Sequence, residues 1–247
     1  MVCRFLLCWC ICLPFATAGC GEAIDSKKVK TSGIWLDAEA TARDSESIQI
    51  STALRTGGPN SNTYVDLSGG DELVYYIAGR SVEPTRTSPD VGQKVRYVAS
   101  VDENRAGLPI RIAFKRSHDG DDCKGFGSAT ETMTTMPPPF SITSPTDGTS
   151  IGRDEAIQVD IDSPSDERTT ASIAADCLEG SYQRKLTDGS ATFPAGTLAL
   201  DDDEETPDTC EAELTVERSR PGQVDSNFKG GRFPGRQIRR LTFETTP

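Results

Sequence analysis

The chain has 247 residues and a formal net charge of −12, because 38 acidic side chains outnumber 26 basic ones. An acidic surface repels a phosphate backbone, so the composition argues against nucleic acid as a general partner. The longest apolar stretch, residues 5–18, is shorter than the roughly 20 residues that a helix needs to cross a bilayer. A permanent transmembrane helix is not expected.

The first twenty residues have the layout of a secretory signal, with basic Arg4 before the apolar run and small residues after it. The ending Thr17-Ala18-Gly19-Cys20 resembles the lipobox of bacterial lipoproteins. The resemblance implies cleavage after residue 19 and lipid on Cys20, which would be the membrane anchor. Because glycine rather than aspartate follows the cysteine, it favours an outer-membrane lipoprotein of the cell envelope, facing the periplasm or the surface.

The mature chain is expected to begin with a short lipidated tether, residues 20–33, which is polar and has no apolar periodicity. Three prolines at 137–139 lack backbone donors for a sheet, and they mark a boundary between two domains. We therefore predict a signal peptide at 1–19, a first domain at 34–136 and a second domain at 137–247.

Alternating apolar and polar residues predict strands throughout both domains. Strands that are apolar on one face need a second sheet to cover that face, which predicts a sandwich. The predicted inward-facing sets of the first domain are Ile48, Ile50 and Leu54; Leu73, Tyr75 and Ile77; Val95, Tyr97, Ala99 and Val101; and Ile110, Ile112 and Phe114.

The second domain opens with residues 140–148, which resemble the first strand and turn of bacterial immunoglobulin-like modules. Ile157, Val159 and Ile161 then alternate with polar residues, as a second strand should. The predicted fold class is therefore all-β, with two tandem immunoglobulin-like β-sandwich domains after the cleaved signal and the tether.

Cys177 and Cys210 both fall on inward-facing positions of predicted strands, and we predict a disulfide between them. Cys123 is left without a predicted partner. It could be free, intermolecular, or paired with another cysteine, because connectivity cannot be deduced from sequence.

Charge reverses near the C-terminus, where acidic residues dominate 201–217 and basic residues dominate 218–240. Two interpretations remain open. Residues 211–219 and 232–243 could be neighbouring antiparallel strands whose opposite charges pair. Alternatively, Arg232, Arg236 and Arg239 could form a basic strip that binds an anionic envelope polymer or an acidic partner.

Nothing in the sequence forms a catalytic set, a metal site or a site for a small-molecule cofactor. The G-x-S-x-G pattern around Ser150 lacks the strand–turn–helix setting of a hydrolase elbow. His118 is the single histidine, and its acidic loop lacks zinc-ligand spacing. The acidic run at 201–205 lacks the alternation of a calcium loop.

The leading interpretation is a membrane-anchored, non-enzymatic envelope lipoprotein that acts as a binding or scaffold module for an envelope protein or surface polymer. The alternative is a carbohydrate-binding accessory protein that uses Trp35, Tyr75 or Tyr76, the two tyrosines pointing to opposite sheet faces. A metal-dependent hydrolase that uses His118 is the third interpretation.

Overall fold

The computed structural model describes residues 23–88, 94–117, 127–201 and 209–247. Two short 3-10 turns, Ser26–Lys28 and Thr31–Gly33, precede the sheets. The strands are, in chain order, β1 (Ala23–Asp25), β2 (Ile34–Ala42), β3 (Ile48–Thr56), β4 (Tyr64–Asp66), β5 (Glu72–Ile77), β6 (Arg80–Val82), β7 (Thr85–Thr87), β8 (Arg96–Val101), β9 (Pro109–Lys115), β10 (Ala129–Thr135), β11 (Ile142–Ser144), β12 (Ser150–Gly152), β13 (Ile157–Ile161), β14 (Arg168–Ala174), β15 (Tyr182–Lys185), β16 (Ser190–Phe193), β17 (Cys210–Arg220), β18 (Gly230–Arg232) and β19 (Gly235–Thr246).

The first sandwich packs strands β2, β3 and β8 against the four-stranded sheet β10-β9-β5-β6. The alternation predicted from sequence decides which side chains are inside. Ile50, Tyr75 and Ile112 are fully buried, as predicted, because each lies on the inward phase of its strand.

The second sandwich packs β19-β17-β14-β15 against the three-stranded sheet β11-β13-β16. Its core is separate from the first and includes Val159, Ile173 and Leu214, all fully buried. The predicted all-β fold class with two sandwiches is therefore confirmed.

A disulfide joins Cys177 to Cys210, as predicted, with 6.4 Å between the two Cα atoms. Cys177 lies just after β14 rather than on it, while Cys210 is the first residue of β17. The bridge spans 33 residues of sequence. Closing such a loop stabilises a fold by about 3–4 kcal/mol in the chain-entropy model.

Strands β17 and β19 are neighbouring antiparallel strands, so the pairing predicted for 211–219 and 232–243 is confirmed. Opposite charges meet across this ladder. Arg236 lies 3.6 Å from Glu217, and Arg240 lies 3.3 Å from Glu213. These partly exposed pairs support the register modestly.

The predicted division at residue 137 is wrong for residues 221–235, which we call the return segment. Phe228 and Phe233 of this segment are buried in the first core, although the sequence assigns them to the second domain. Within it β18 pairs in parallel with β2, and β19 then begins beside β2 with Gly235 opposite Ala40. One 12-stranded sheet thereby runs through both sandwiches.

Glycine makes the return segment's close approach possible. A Cβ on Gly231 would lie 2.2 Å from the carbonyl oxygen of Leu36, and one on Gly230 would lie 2.8 Å from Cζ3 of Trp35. The contact at Gly231 could be relieved only by a backbone shift, and the contact at Gly230 only by moving the Trp35 ring. The glycine pair therefore lets β18 lie against β2.

Buried polar side chains fasten the junction between the sandwiches. Gln237 is fully buried, and its Nε2 donates to Oδ1 of Asn104 at 2.6 Å and to the carbonyl oxygen of Pro137 at 3.1 Å. Arg218 is also fully buried, donates to the carbonyl oxygens of Pro138 and Ser163, and has its pKa lowered by that burial. Buried polar groups that are satisfied in this way fix one relative placement.

The prediction of a flexible tether is wrong for residues 23–33, because these residues are packed against the first sandwich. Strand β1 pairs in parallel with β4. The hydroxyl of Ser26 donates to Asp71 at 2.7 Å, and Arg116 donates to the carbonyl oxygens of Ser26 and Val29 at 3.2 Å each. Ile24 and Val29 also pack against the first core, so polar contacts and a few apolar side chains together hold the segment.

Within the four described ranges, no helix has the length and apolar character needed to cross a membrane.

We predict that Phe233→Ala destabilises the first sandwich by about 3–5 kcal/mol, because it leaves a cavity in that core. Trp35 is the single tryptophan of the described residues and lies on β2, so its fluorescence during urea unfolding reports on this sandwich. Met133→Ala is the control, because that side chain is exposed and should change stability by less than about 0.5 kcal/mol. Equal midpoints for the two variants would refute the assignment of Phe233 to the first core.

Candidate functional site

Three residues of the sequence-based predictions lie outside the described ranges: the lipidation candidate Cys20, the single histidine His118, and the leftover Cys123. Most of the acidic run at 201–205 also lies outside them. Lipidation therefore stays a prediction. Among the residues that the structure does describe, no cluster of three or more His, Cys, Asp or Glu side chains could hold a metal.

The structure does not bring Arg232, Arg236 and Arg239 into one strip. Arg236 and Arg239 are three residues apart on β19, so their side chains point to opposite faces of the sheet. Arg232 lies on β18 and binds Asp37 at 2.6 Å, an interaction that raises the arginine's pKa.

Arg239 is used inside the protein. Its Nη1 donates to the carbonyl oxygen of Ala42 at 3.2 Å, and its guanidinium lies 5.5 Å from the ring centre of Phe140. Burial lowers its pKa. Arg239 therefore links the two sandwiches.

The aromatic candidates differ in accessibility. Tyr75 is fully buried and its hydroxyl donates to the carbonyl oxygen of Tyr97 at 2.8 Å, so it belongs to the core. Trp35 is half-buried, with its ring directly against the backbone of Gly230. Tyr76 is half-buried and faces outward from β5, as the opposite phase of the two tyrosines predicts.

Tyr76 belongs to a row of three side chains on the outer face of the four-stranded sheet. The register places Tyr76 opposite Arg111 on β9, and Arg111 opposite Met133 on β10. The Arg111 guanidinium lies 4.2 Å from the ring centre of Tyr76, a cation–π contact. Met133 is 42% exposed, and among the described residues it is the single exposed large hydrophobic side chain.

This row forms part of a groove of about 760 Å³. The return segment supplies one wall, because Met133 and Gln223 exchange two backbone hydrogen bonds of 2.8 and 2.7 Å. Gly222 is required there, since a Cβ would lie 2.1 Å from the carbonyl oxygen of Phe233. The volume is in the range of small-ligand and peptide sites. The lining residues are Tyr76, Gly79, Pro109, Ile110, Arg111, Met133, Thr134, Thr135, Pro221, Gly222 and Gln223.

Among the described residues that line the groove, Arg111 is the one that carries a charge. Arg111 uses Nη1 for the carbonyl oxygen of Thr130 at 3.2 Å, and the same atom is 3.8 Å from the exposed carboxylate of Glu131. No acceptor among the described residues engages its Nε or Nη2. Lys115 lies on the same outer face but outside the groove lining, 6.0 Å from the Tyr76 ring centre and opposite Glu72 in the register.

Sequence reasoning named Tyr76 but missed Arg111, Met133 and the wall at 221–223. Arg111 and Met133 each read as an ordinary solvent-facing strand position. The register of β5, β9 and β10 is needed to align these side chains with Tyr76 in one row. The return segment is needed to add the wall that turns the row into a groove. The one available signal was an apolar Met133 on a polar strand face.

The chain matches no protein-family model, and no curated protein is similar to it in sequence. Solved structures with some likeness include immunoglobulin domains 1 and 2 of DIP-gamma, with 7% identity, a TM-score of 0.25, and coverage of 86% of this chain and 95% of that one. The FN1–FN3 domains of chicken CNTN1 show 12% identity, a TM-score of 0.30, and coverage of 85% and 66%. Scores of this size identify no family and no function.

We predict that Arg239→Gln lowers the free energy of unfolding by about 1.5–3 kcal/mol, because it removes charge-assisted hydrogen bonds at the junction. Arg232→Gln should cost less than about 1 kcal/mol, since that side chain is 65% exposed. Urea denaturation of both variants is the measurement. A larger loss for Arg232→Gln would contradict the proposed role of Arg239.

Proposed function

We propose that this protein is a non-enzymatic binding module, held at a cell-envelope membrane by lipid on Cys20, and that it binds a partner protein through the groove. The observation that carries the proposal is the row of Tyr76, Arg111 and Met133 on a rigid sheet face. Tyrosine and arginine dominate binding hot spots, and methionine is enriched in interfaces. A concave groove of this size that combines apolar lining with a few polar groups is the feature expected of a binding site.

The lipid anchor rests on the resemblance of residues 17–20 to a lipobox. A carbohydrate-binding role is the less favoured alternative, because a sugar stacks on an open aromatic face. The Tyr76 ring already carries the Arg111 guanidinium at 4.2 Å, and Trp35 lies against Gly230. Each ring therefore already has a contact within the protein that a sugar would have to avoid or displace.

Partner binding is tested by site-specific crosslinking in the native host. A photo-reactive amino acid at position 133 should yield a defined protein adduct that is identifiable by mass spectrometry. The same group at position 192, an exposed position of β16 on the other sandwich, is the matched control and should give none. Adding Arg111→Ala should abolish the adduct at 133. Absence of any adduct at 133, or identical adducts at both positions, would overturn the assignment of the groove.

The anchor is tested by Cys20→Ser, which should move the protein from the membrane fraction to a soluble or uncleaved form and remove metabolic palmitate labelling. The Cys177→Ser/Cys210→Ser variant is the control for loss of cysteine as such, and it should retain the label. Palmitate incorporation that persists in Cys20→Ser would refute lipidation at this residue.

A further inference from the structure

We infer that the partner presents to the groove a polypeptide segment in which an apolar side chain is flanked by carboxylates. This inference rests on the proposed function, since it names the chemistry of the partner at the same groove. Its basis is the combination of the exposed side chain of Met133 with the Arg111 guanidinium on a single sheet face, with Lys115 farther along that face.

The apolar half of the recognition comes from Met133 and its neighbours. Met133 stands 42% exposed between the Arg111 side chain and the return segment, with Pro109 and Pro221 among the lining residues. Methionine adapts its shape to an incoming side chain, and prolines present apolar surface without a competing backbone donor. An apolar side chain of the partner would displace water from this part of the groove.

The charged half comes from Arg111, with Lys115 beyond the groove on the same face. The Nε and Nη2 atoms of Arg111 have no acceptor among the described residues, and a guanidinium can bind a carboxylate through two parallel hydrogen bonds. The Tyr76 ring holds the guanidinium by stacking, so less side-chain freedom is lost on binding. Glu131 is the nearest carboxylate at 3.8 Å, with its side chain 68% exposed, and a partner's carboxylate would compete with it.

The same charges select among possible occupants. A basic segment would be repelled by Arg111. A second copy of this chain is disfavoured because each copy has a formal charge of −12. An acidic and apolar segment of a different protein satisfies both halves of the site.

The test uses three synthetic peptides of equal length in which leucine and phenylalanine alternate with glutamate, glutamine or lysine. Their binding to the full lipidated protein in neutral detergent is measured by fluorescence anisotropy. The glutamate peptide should bind at least about fivefold more tightly than the glutamine peptide, and the lysine peptide should bind most weakly. The preference for glutamate should shrink as salt rises.

Variants separate the two halves of the site. Arg111→Gln should remove the preference for glutamate and leave the binding of the glutamine peptide unchanged, and Lys115→Gln should reduce that preference. Met133→Ser should weaken the glutamate and glutamine peptides equally. Arg168→Gln, which removes an exposed arginine of β14 on the second sandwich, is the matched control and should change nothing.

Several results would overturn the inference: equal binding of the glutamate and glutamine peptides, an undiminished preference in both Arg111→Gln and Lys115→Gln, or a dimer of this chain that Met133→Ser abolishes. Preferential binding to an oligosaccharide array, lost in Met133→Ser, would also overturn it. If the adduct at position 133 forms while acidic peptides show no preference, this inference fails and the proposed function stands. If the adduct is absent as well, both fail.

Discussion

The parallel pairing of β2 with β18 and with the start of β19 is the contact on which the rest of the structure depends. It makes one 12-stranded sheet of what would otherwise be two sheets in separate domains. The same pairing fixes the return segment over the first core, so that Phe228 and Phe233 complete that core and residues 221–223 become a wall of the groove. The stability of the first sandwich and the shape of the candidate site therefore both depend on this pairing.

Charge is distributed in a way that fits this arrangement. Most arginines of the C-terminal strands make contacts within the protein. Arg236 and Arg240 form ion pairs with glutamates of β17. Arg218 and Arg239 donate hydrogen bonds at the junction. They hold the two sandwiches in place. Arg111, by contrast, contacts the Tyr76 ring, and its Nε and Nη2 have no acceptor among the described residues, so we propose it as a recognition residue.

Local patterns in the sequence predicted local structure well. Period-two alternation identified β3, β9 and β13, and the phase of Cys177 and Cys210 predicted their bridge. What could not be predicted was long-range pairing. Gly235 pairs with Ala40, although most of the chain separates them in sequence. Neither composition nor periodicity predicts that register. The groove was missed for the same reason, because its row exists only after three strands are aligned and the return segment is laid beside them.

The packing of residues 23–33 has a consequence for how the molecule would work at a surface. With lipid on Cys20, as proposed, two residues separate the anchor from β1, and the three residue steps from Cys20 to Ala23 span about 10 Å at most. The first sandwich would then be held close to the bilayer. This confinement would raise the effective concentration of partners held in the same membrane over those diffusing freely.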